Sequence, residues 1–313
     1  MMNKDLNTIE KNIPMTYVGE KIKTYLKESL DLSSRFLRNA ALSKRIQING
    51  KVVKLDYILR EGDVLKISLV AKESQDITPE NIPLDIVYED EALLVVNKSP
   101  NMVVHPTKSY TSGTLSNAVM YHYQSKGEKT IIRLVSRLDM NTSGLLVLAK
   151  NQFVHAKISK DMKEETYDKY YVAIVEGAFP KDMTLMDFPI YRDKEEPYRR
   201  VVDPRGQQSL TKVQVLDEKN GYSVLLLQLL TGRTHQIRVH LSHLGYPILG
   251  DELYDGDLSL LSRQALHAVK LSFHHPVTDE KITVCANLPE DLSKVLAALS
   301  LEIPPVESLP SLP

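Results

Sequence analysis

An α+β fold in two unequal parts is the expectation for this chain of 313 residues. Three features accord with it. Short apolar runs of strand length, such as Leu145 to Ala149 and Val64 to Val70, recur between turn residues. Two Asn-Gly pairs, Asn49-Gly50 and Asn220-Gly221, sit between such runs, and Asn-Gly is a strong hairpin signal. Helical spacing intervenes, as in Ile22, Leu26 and Leu30 with Tyr25 beside them. Length alone gives two domains as a soft prior.

Taken in order, residues 1–15 read as a loose lead, and a first unit is expected over 15–72. Ser33 and Ser34 are N-cap candidates for its second helix. In that helix Phe36, Leu37, Ala40 and Ala41 can face inward, while Arg35, Arg38, Lys44 and Arg45 gather outside or at its end. Ile46 to Val53 reads as two short strands around Asn49-Gly50, and a further strand runs from Val64 to Val70. Residues 73–82 are polar and poor in core formers, which reads as a linker. The second unit is expected over 83–300. It opens with strands at Leu84 to Tyr88 and Ala92 to Val96, followed by a turn in which Asn101 can take a left-handed backbone. Helices are expected at Leu115 to Tyr123 and His155 to Lys163, and strands at Lys169 to Gly177, Thr211 to Leu216 and Tyr222 to Leu230. Residues 181–208 look like a long polar excursion, and the proline- and serine-rich 301–313 like a flexible tail.

Composition is that of an ordinary soluble chain, 42% hydrophobic and 25% charged. No run approaches the roughly 18 apolar residues that a membrane span needs, and Met1 to Glu10 has no signal-peptide core, so a cytoplasmic location and no membrane partner are expected. The single cysteine, Cys285, leaves no intrachain disulfide and no multi-cysteine zinc site. The net charge is −1, but from Lys11 to Val70 twelve Lys or Arg stand against six Asp or Glu. In residues 71–100 two Lys face seven Asp or Glu. A basic first unit hints at nucleic acid, although a solvated basic face without a partner reads the same way.

The chemistry concentrates in Ser136 to Lys150. A polar loop carries Arg137 and Asp139, a turn follows at Thr142-Ser143-Gly144, and a buried strand begins. An aspartate at the mouth of such a loop is placed like a catalytic group, or it caps the turn and pairs with Arg137. His235, His240 and His243 lack metal-site spacing, and Ser143 lacks the nucleophile-elbow glycine pattern, so no metal is expected.

Arg137-Leu138-Asp139 with Thr142-Ser143-Gly144-Leu145 resembles the central motif of the RluA-type pseudouridine synthases. The family has a histidine where this chain has Ser136, which can replace only part of its hydrogen bonding. Asn97-Lys98-Ser99-Pro100 resembles the opening segment of the family, with departures at Ser99 and Asn101. Lys169-Tyr170-Tyr171 before an apolar strand resembles the second motif, and Thr231 to Leu241 the third. Gly245 to Asp251 and Leu266-His267-Ala268 extend the match. Residues 15–70 resemble the alpha-L RNA-binding motif. The resemblance implies a catalytic unit with a large, mostly antiparallel sheet, isomerisation of uridine in structured RNA, no cofactor, and ribosomal RNA or a ribosome-assembly intermediate as partner of a monomer. It implies Asp139 as the essential carboxylate, acting as nucleophile or base, with Tyr171 stacked on the uracil and Arg238 paired with Asp139. Arg137 would fill the space left by the flipped base. Arg35, Arg38, Lys44 and Arg45 would meet phosphates, and Ser136, Arg233, His235 and Gln236 would stand behind the reacting groups. A non-catalytic RNA-binding or assembly factor is the rival. Deleting residues 1–75 is expected to weaken RNA binding and flatten its dependence on salt; an unchanged slope in a salt titration would count against phosphate contacts by the first unit.

Overall fold

A computed structural model describes residues 6–70, 75–164, 166–192, 195–196 and 198–312. The first unit contains β1 (Thr8–Asn12), α1 (Ile22–Glu28), α2 (Ser34–Leu42), β2 (Ile46–Ile48), β3 (Lys51–Val52) and β4 (Val64–Ser68). Its antiparallel sheet has the order β1-β4-β2-β3. The Ser33 hydroxyl accepts from Phe36 N–H at 3.2 Å and starts α2. Phe36, Leu37 and Ala40 then bury against Tyr25, Leu26, Ile46, Ile48, Leu65 and Ile67. Asn49 and Gly50 both have positive φ, as the hairpin requires. Thr8–Asn12 are not part of the loose lead expected over 1–15, because they pair along the whole of β4; residues 1–5 lie outside the described residues. The segment Thr-Ile-Glu-Lys-Asn alternates too weakly to read as a strand; the open edge of β4 supplies its partner.

The larger unit is built on a nine-stranded mixed sheet. Its strands are β5 (Asp85–Glu89), β6 (Leu93–Lys98), β7 (Ser143–Ala149), β8 (Asp168–Glu176), β9 (Leu185–Asp187), β12 (Leu210–Lys219), β13 (Tyr222–Leu229), β14 (Leu266–His274) and β15 (Lys281–Cys285). Along the sheet the order is β5-β6-β7-β14-β8-β13-β12-β9, with β15 on β14. Only the β7–β14 pairing is parallel. Alternation divides the sheet's side chains between two faces. Leu94, Val96, Leu146 and Leu148 meet α3 (Leu115–Ser125), α5 (Gln236–His243) and α6 (Glu290–Leu299). Leu93, Val95, Leu145 and Val147 meet Val154 and Ile158 of α4 (Gln152–Asp161). Helix α4 starts three residues before the expected His155, because the Asn151 side chain accepts from Val154 N–H at 2.9 Å and caps it.

Three further expectations change. The excursion at 181–208 is folded where described: β9 joins the main sheet, and β10 (Ile190–Arg192) pairs with β11 (Arg200–Val202) in a separate ribbon. The linker at 73–82, where described, has no helix or strand but lies fixed on the second unit. The Gln75 carbonyl accepts from Ile132 N–H at 2.8 Å, Ile77 is buried, and the Asn117 amide donates to Thr78 O at 2.7 Å. Residues 301–312 are not a flexible tail. Leu301, Val306, Leu309 and Leu312 are buried, and Lys270 Nζ donates to Leu309 O at 3.0 Å. Prolines keep this segment from forming an α-helix and leave one 3-10 turn at Val306–Ser308, but its spaced apolar residues still find the core. The two units also touch: Phe36 lies 6.2 Å from Phe153, and Lys160 pairs with Asp31. Among the described residues no helix is long and apolar enough to cross a membrane.

Ending the chain after Ser300 would uncover the surface on which those four side chains rest. Each fully buried aliphatic side chain is worth about 1.5–3 kcal/mol, so the truncated protein should unfold at a clearly lower urea midpoint. An unchanged midpoint would contradict the packing described for the C-terminal segment.

Candidate active site

The loop of Asp139 is held from beneath by three side chains. Lys98 is buried, and its Nζ donates to Ser99 O at 2.8 Å, Met102 O at 3.1 Å and Met140 O at 2.9 Å. Arg263 donates to Asn141 O at 3.1 Å while both ends of its fork grip Asp291 at 2.7 and 2.9 Å. The Gln264 amide donates to the Thr142 hydroxyl at 3.1 Å. Gly144 follows with φ of 113°, and a Cβ there would run into the backbone of Ala268 across the parallel β7–β14 junction. Only glycine fits that crossing. Burial pushes the Lys98 ammonium down to about 7, opposed by the attraction of Asp139. Asn101 takes the left-handed backbone expected of it, with φ of 59°.

Helix α5 supplies the second half of the site. The turn before it is tied by Gln236, whose carbonyl accepts from Thr231 Oγ1 at 2.8 Å and Arg233 N–H at 3.0 Å. The Gln236 amide donates to Leu210 O and Thr211 Oγ1, each at 2.9 Å. Residues 231–235 thus form a turn, ending at His235 with φ of 58°, before the helix begins. One turn into the helix, Arg238 reaches two carboxylates. Its Nε and Nη2 donate to Asp251 at 2.6 and 2.7 Å, and its Nη1 donates to Asp139 Oδ2 at 3.0 Å. The Asp251 side chain is 1% exposed, that of Asp139 30%. Burial opposes the Arg238 charge, but its bonds to Asp251 and the nearby Asp139 outweigh burial and raise its pKa. The Tyr254 ring lies 4.9 Å beneath the guanidinium carbon.

His235 Nε2 lies 3.8 Å from the same Asp139 oxygen, and its Nδ1 shares a 2.9 Å hydrogen bond with the Tyr254 hydroxyl. Burial lowers the His235 pKa against the pull of Asp139, so the ring is neutral near pH 7. His240 bonds Thr211 Oγ1 at 3.2 Å and Phe188 O at 3.0 Å. Among the described residues no group of three His, Cys, Asp or Glu is arranged to hold a metal. Tyr171 stands on β8 with its phenol pKa raised by burial and then by Asp139, so it stays protonated at neutral pH. Tyr170, on the opposite face of the strand, instead lies 5.6 Å from Lys270 Nζ.

The site opens on a cleft of about 730 Å³ lined by Ser136, Arg137, Asp139, Lys169, Tyr171, Arg233 and His235, among others. Arg137 is exposed at its rim, and no described residue pairs with it. Arg233 is exposed and donates to Gln208 O at 3.3 Å. Asp139, Tyr171 and Arg238 therefore come together, with His235 beside them; Gln236 supports the turn from outside the main cleft. Arg35, Arg38 and Lys44 are exposed on the first unit, away from the cleft. Arg45 differs from them. It donates to Ser68 O at 3.1 Å and lies 5.4 Å over the Phe36 ring, so it ties α2 to β4. Sequence reasoning missed Asp251, Tyr254, Lys98 and Arg263 as parts of the site. Asp251 and Lys98 lay inside stretches that had drawn notice, but a lone acid or lysine in a turn carries no spacing signal.

A family model described as RNA pseudouridylate synthase matches residues 92–243. An uncharacterized RNA pseudouridine synthase of Bacillus subtilis, YjbO, is 40% identical over 277 residues, covering 88% of this chain and 98% of that protein. The ribosomal large subunit pseudouridine synthase D of Pasteurella multocida is 33% identical over 311 residues, covering 94% and 96%. The structure of human RNA pseudouridylate synthase domain containing 4 superposes with a TM-score of 0.58 at 25% identity, covering 71% of this chain and 95% of that one. With relatives this similar over nearly their whole lengths, the chain belongs to the RNA pseudouridine synthases.

Proposed function

We propose that this enzyme isomerises uridines of large-subunit ribosomal RNA, or of a ribosome-assembly intermediate, in the cytoplasm and as a monomer. Similarity to relatives named for the ribosomal large subunit supports that substrate. The basic exposed residues Arg35, Arg38 and Lys44 on a separate small unit suit a structured RNA, whose phosphates they would meet. We place this RNA-binding unit ahead of a catalytic unit whose core extends to about residue 312.

The reaction breaks the bond between N1 of uracil and the ribose, turns the base, and joins C5 to the same sugar carbon. The C5 proton leaves and N1 gains one, so the product is an isomer and neither redox nor energy input is required. The base must first leave its stack. In this reading Arg137, unpaired at the rim, enters the gap left by the base. Asp139 acts at the sugar as nucleophile or base, because only its Oδ2 is engaged by Arg238 and its Oδ1 bonds no described residue. Tyr171 packs against the uracil, and its raised pKa makes it a hydrogen-bonding phenol, not a phenolate base, at neutral pH. Ser136, Arg233 and His235 border the site, and Gln236 ties the turn that carries Arg233 and His235. The single observation that carries the reading is the Asp139–Arg238 pair, with Arg238 anchored on Asp251, where Asp139 and Tyr171 line a cleft large enough for a flipped nucleotide.

Tritium release from RNA labelled at C5 of uridine tests it, with unmodified large-subunit ribosomal RNA as substrate. The intact protein should release tritium, and Asp139→Asn should release none above background. RNA binding without release by the intact protein, on ribosomal and transfer RNA alike, would favour the non-catalytic rival. Equal release by both proteins would remove Asp139 from the chemistry.

A further inference from the structure

Among the described residues three lysines are more than nine-tenths buried: Lys98, Lys150 and Lys169, the last with 7% exposure. The first donates to three carbonyls, as described. Lys150 pairs with Glu89 at 2.8 Å and Glu128 at 2.9 Å. Lys169 has no such partner. No described carboxylate, carbonyl or hydroxyl accepts from its Nζ, whose neighbours are the Tyr167 ring, 6.0 Å away, and the backbone at Gly232. Burial alone pushes this ammonium down to about 8. A largely buried ammonium without a protein acceptor is unusual, because buried polar groups in native proteins are almost always satisfied, and the open side of Lys169 is the cleft that it lines.

Its position indicates what the partner is. Lys169 is two residues before Tyr171 and so shares its face of β8. It borders the catalytic cleft, and also a recess opening from it that is lined by Met162, Tyr167, Gln228 and Leu229. Met162, the Tyr167 ring and Leu229 offer a flat base an apolar surface, while the Asp168 carboxylate in the same lining disfavours a phosphate anion. Nζ can only donate, and uracil presents two carbonyl oxygens on its edges.

Resting on the reading above, we propose that Lys169 is a substrate-binding residue whose Nζ donates a hydrogen bond to an exocyclic carbonyl oxygen of the flipped uracil. When the N1–ribose bond breaks, its electron pair stays with the base and spreads onto those oxygens. A buried ammonium there gains most at that moment, because its interaction strengthens as the charge develops. The contact therefore lowers the barrier more than it tightens binding.

The test compares intact protein, Lys169→Met and Lys169→Ala by single-turnover tritium release at saturating RNA, with RNA affinity measured across salt. Lys169→Met should fold with undiminished thermal stability, since an apolar side chain suits this site. Its affinity and salt slope should match those of the intact protein, while its rate falls by between roughly tenfold and a thousandfold. Added propylammonium should restore part of the Lys169→Ala rate, and propanol should not; a merely structural lysine would show no such distinction. A Lys169→Met rate within about twofold of the intact protein would overturn the proposal. So would weaker binding with a salt slope reduced by about one and an unchanged rate, which marks a phosphate contact. No release by the intact protein on any RNA would sink the functional reading, and this inference with it.

Discussion

The arrangement of the site depends on one guanidinium shared between two carboxylates. Arg238 gives two of its donors to Asp251, which is sealed from solvent, and a third to Asp139 at the cleft. A planar fork held at one end by a bidentate partner has little freedom at the other. Asp251 thereby fixes where Arg238 points, and Arg238 fixes one oxygen of Asp139, leaving the second for the substrate. The Tyr254 ring beneath the guanidinium and its hydroxyl on His235 bring a neighbouring turn into the same network.

That network would accomplish little on a loose loop. Asp139 lies at the junction between β6, β7 and β14, and Lys98, Arg263 and Gln264 reach the consecutive residues Met140, Asn141 and Thr142 from below. Each buried cation here is satisfied, Lys98 by carbonyls and Arg263 by Asp291 and backbone. Such groups are costly to bury, and their value lies in geometry more than in net stability. Lys169 stands out against this background as the buried cation that has no acceptor among the described residues.

Much of this was legible from sequence because it is local. Arg137, Asp139 and the turn at Thr142 to Gly144 lie within eight residues, and the strand after them is a plain apolar run. The Asn49-Gly50 and Asn220-Gly221 hairpins were legible because their turns demand particular backbone angles. What was hidden depends on distant partners. Thr8–Asn12 becomes a strand only because β4 offers an edge. Leu301 to Leu312 packs only because the sheet leaves a surface for it, and its prolines made it look loose. Arg45 reads as one more basic residue near Arg38, yet it bonds carbonyls 23 and 24 residues on. Asp251 acquires its role only when α5 brings Arg238 alongside it, which no spacing rule encodes.

The claim that Asp251 aims Asp139 through Arg238 is most directly tested by the rate of a single turnover at saturating RNA for Asp251→Asn. The substitution keeps the shape of the side chain and removes its charge, so Arg238 is free to turn. Misplacing a reacting group by about 1 Å costs roughly a hundredfold in rate. The predicted result is a loss of that order in protein that remains folded and binds RNA as before. A folded Asp251→Asn protein that turns over at the unaltered rate would contradict the account.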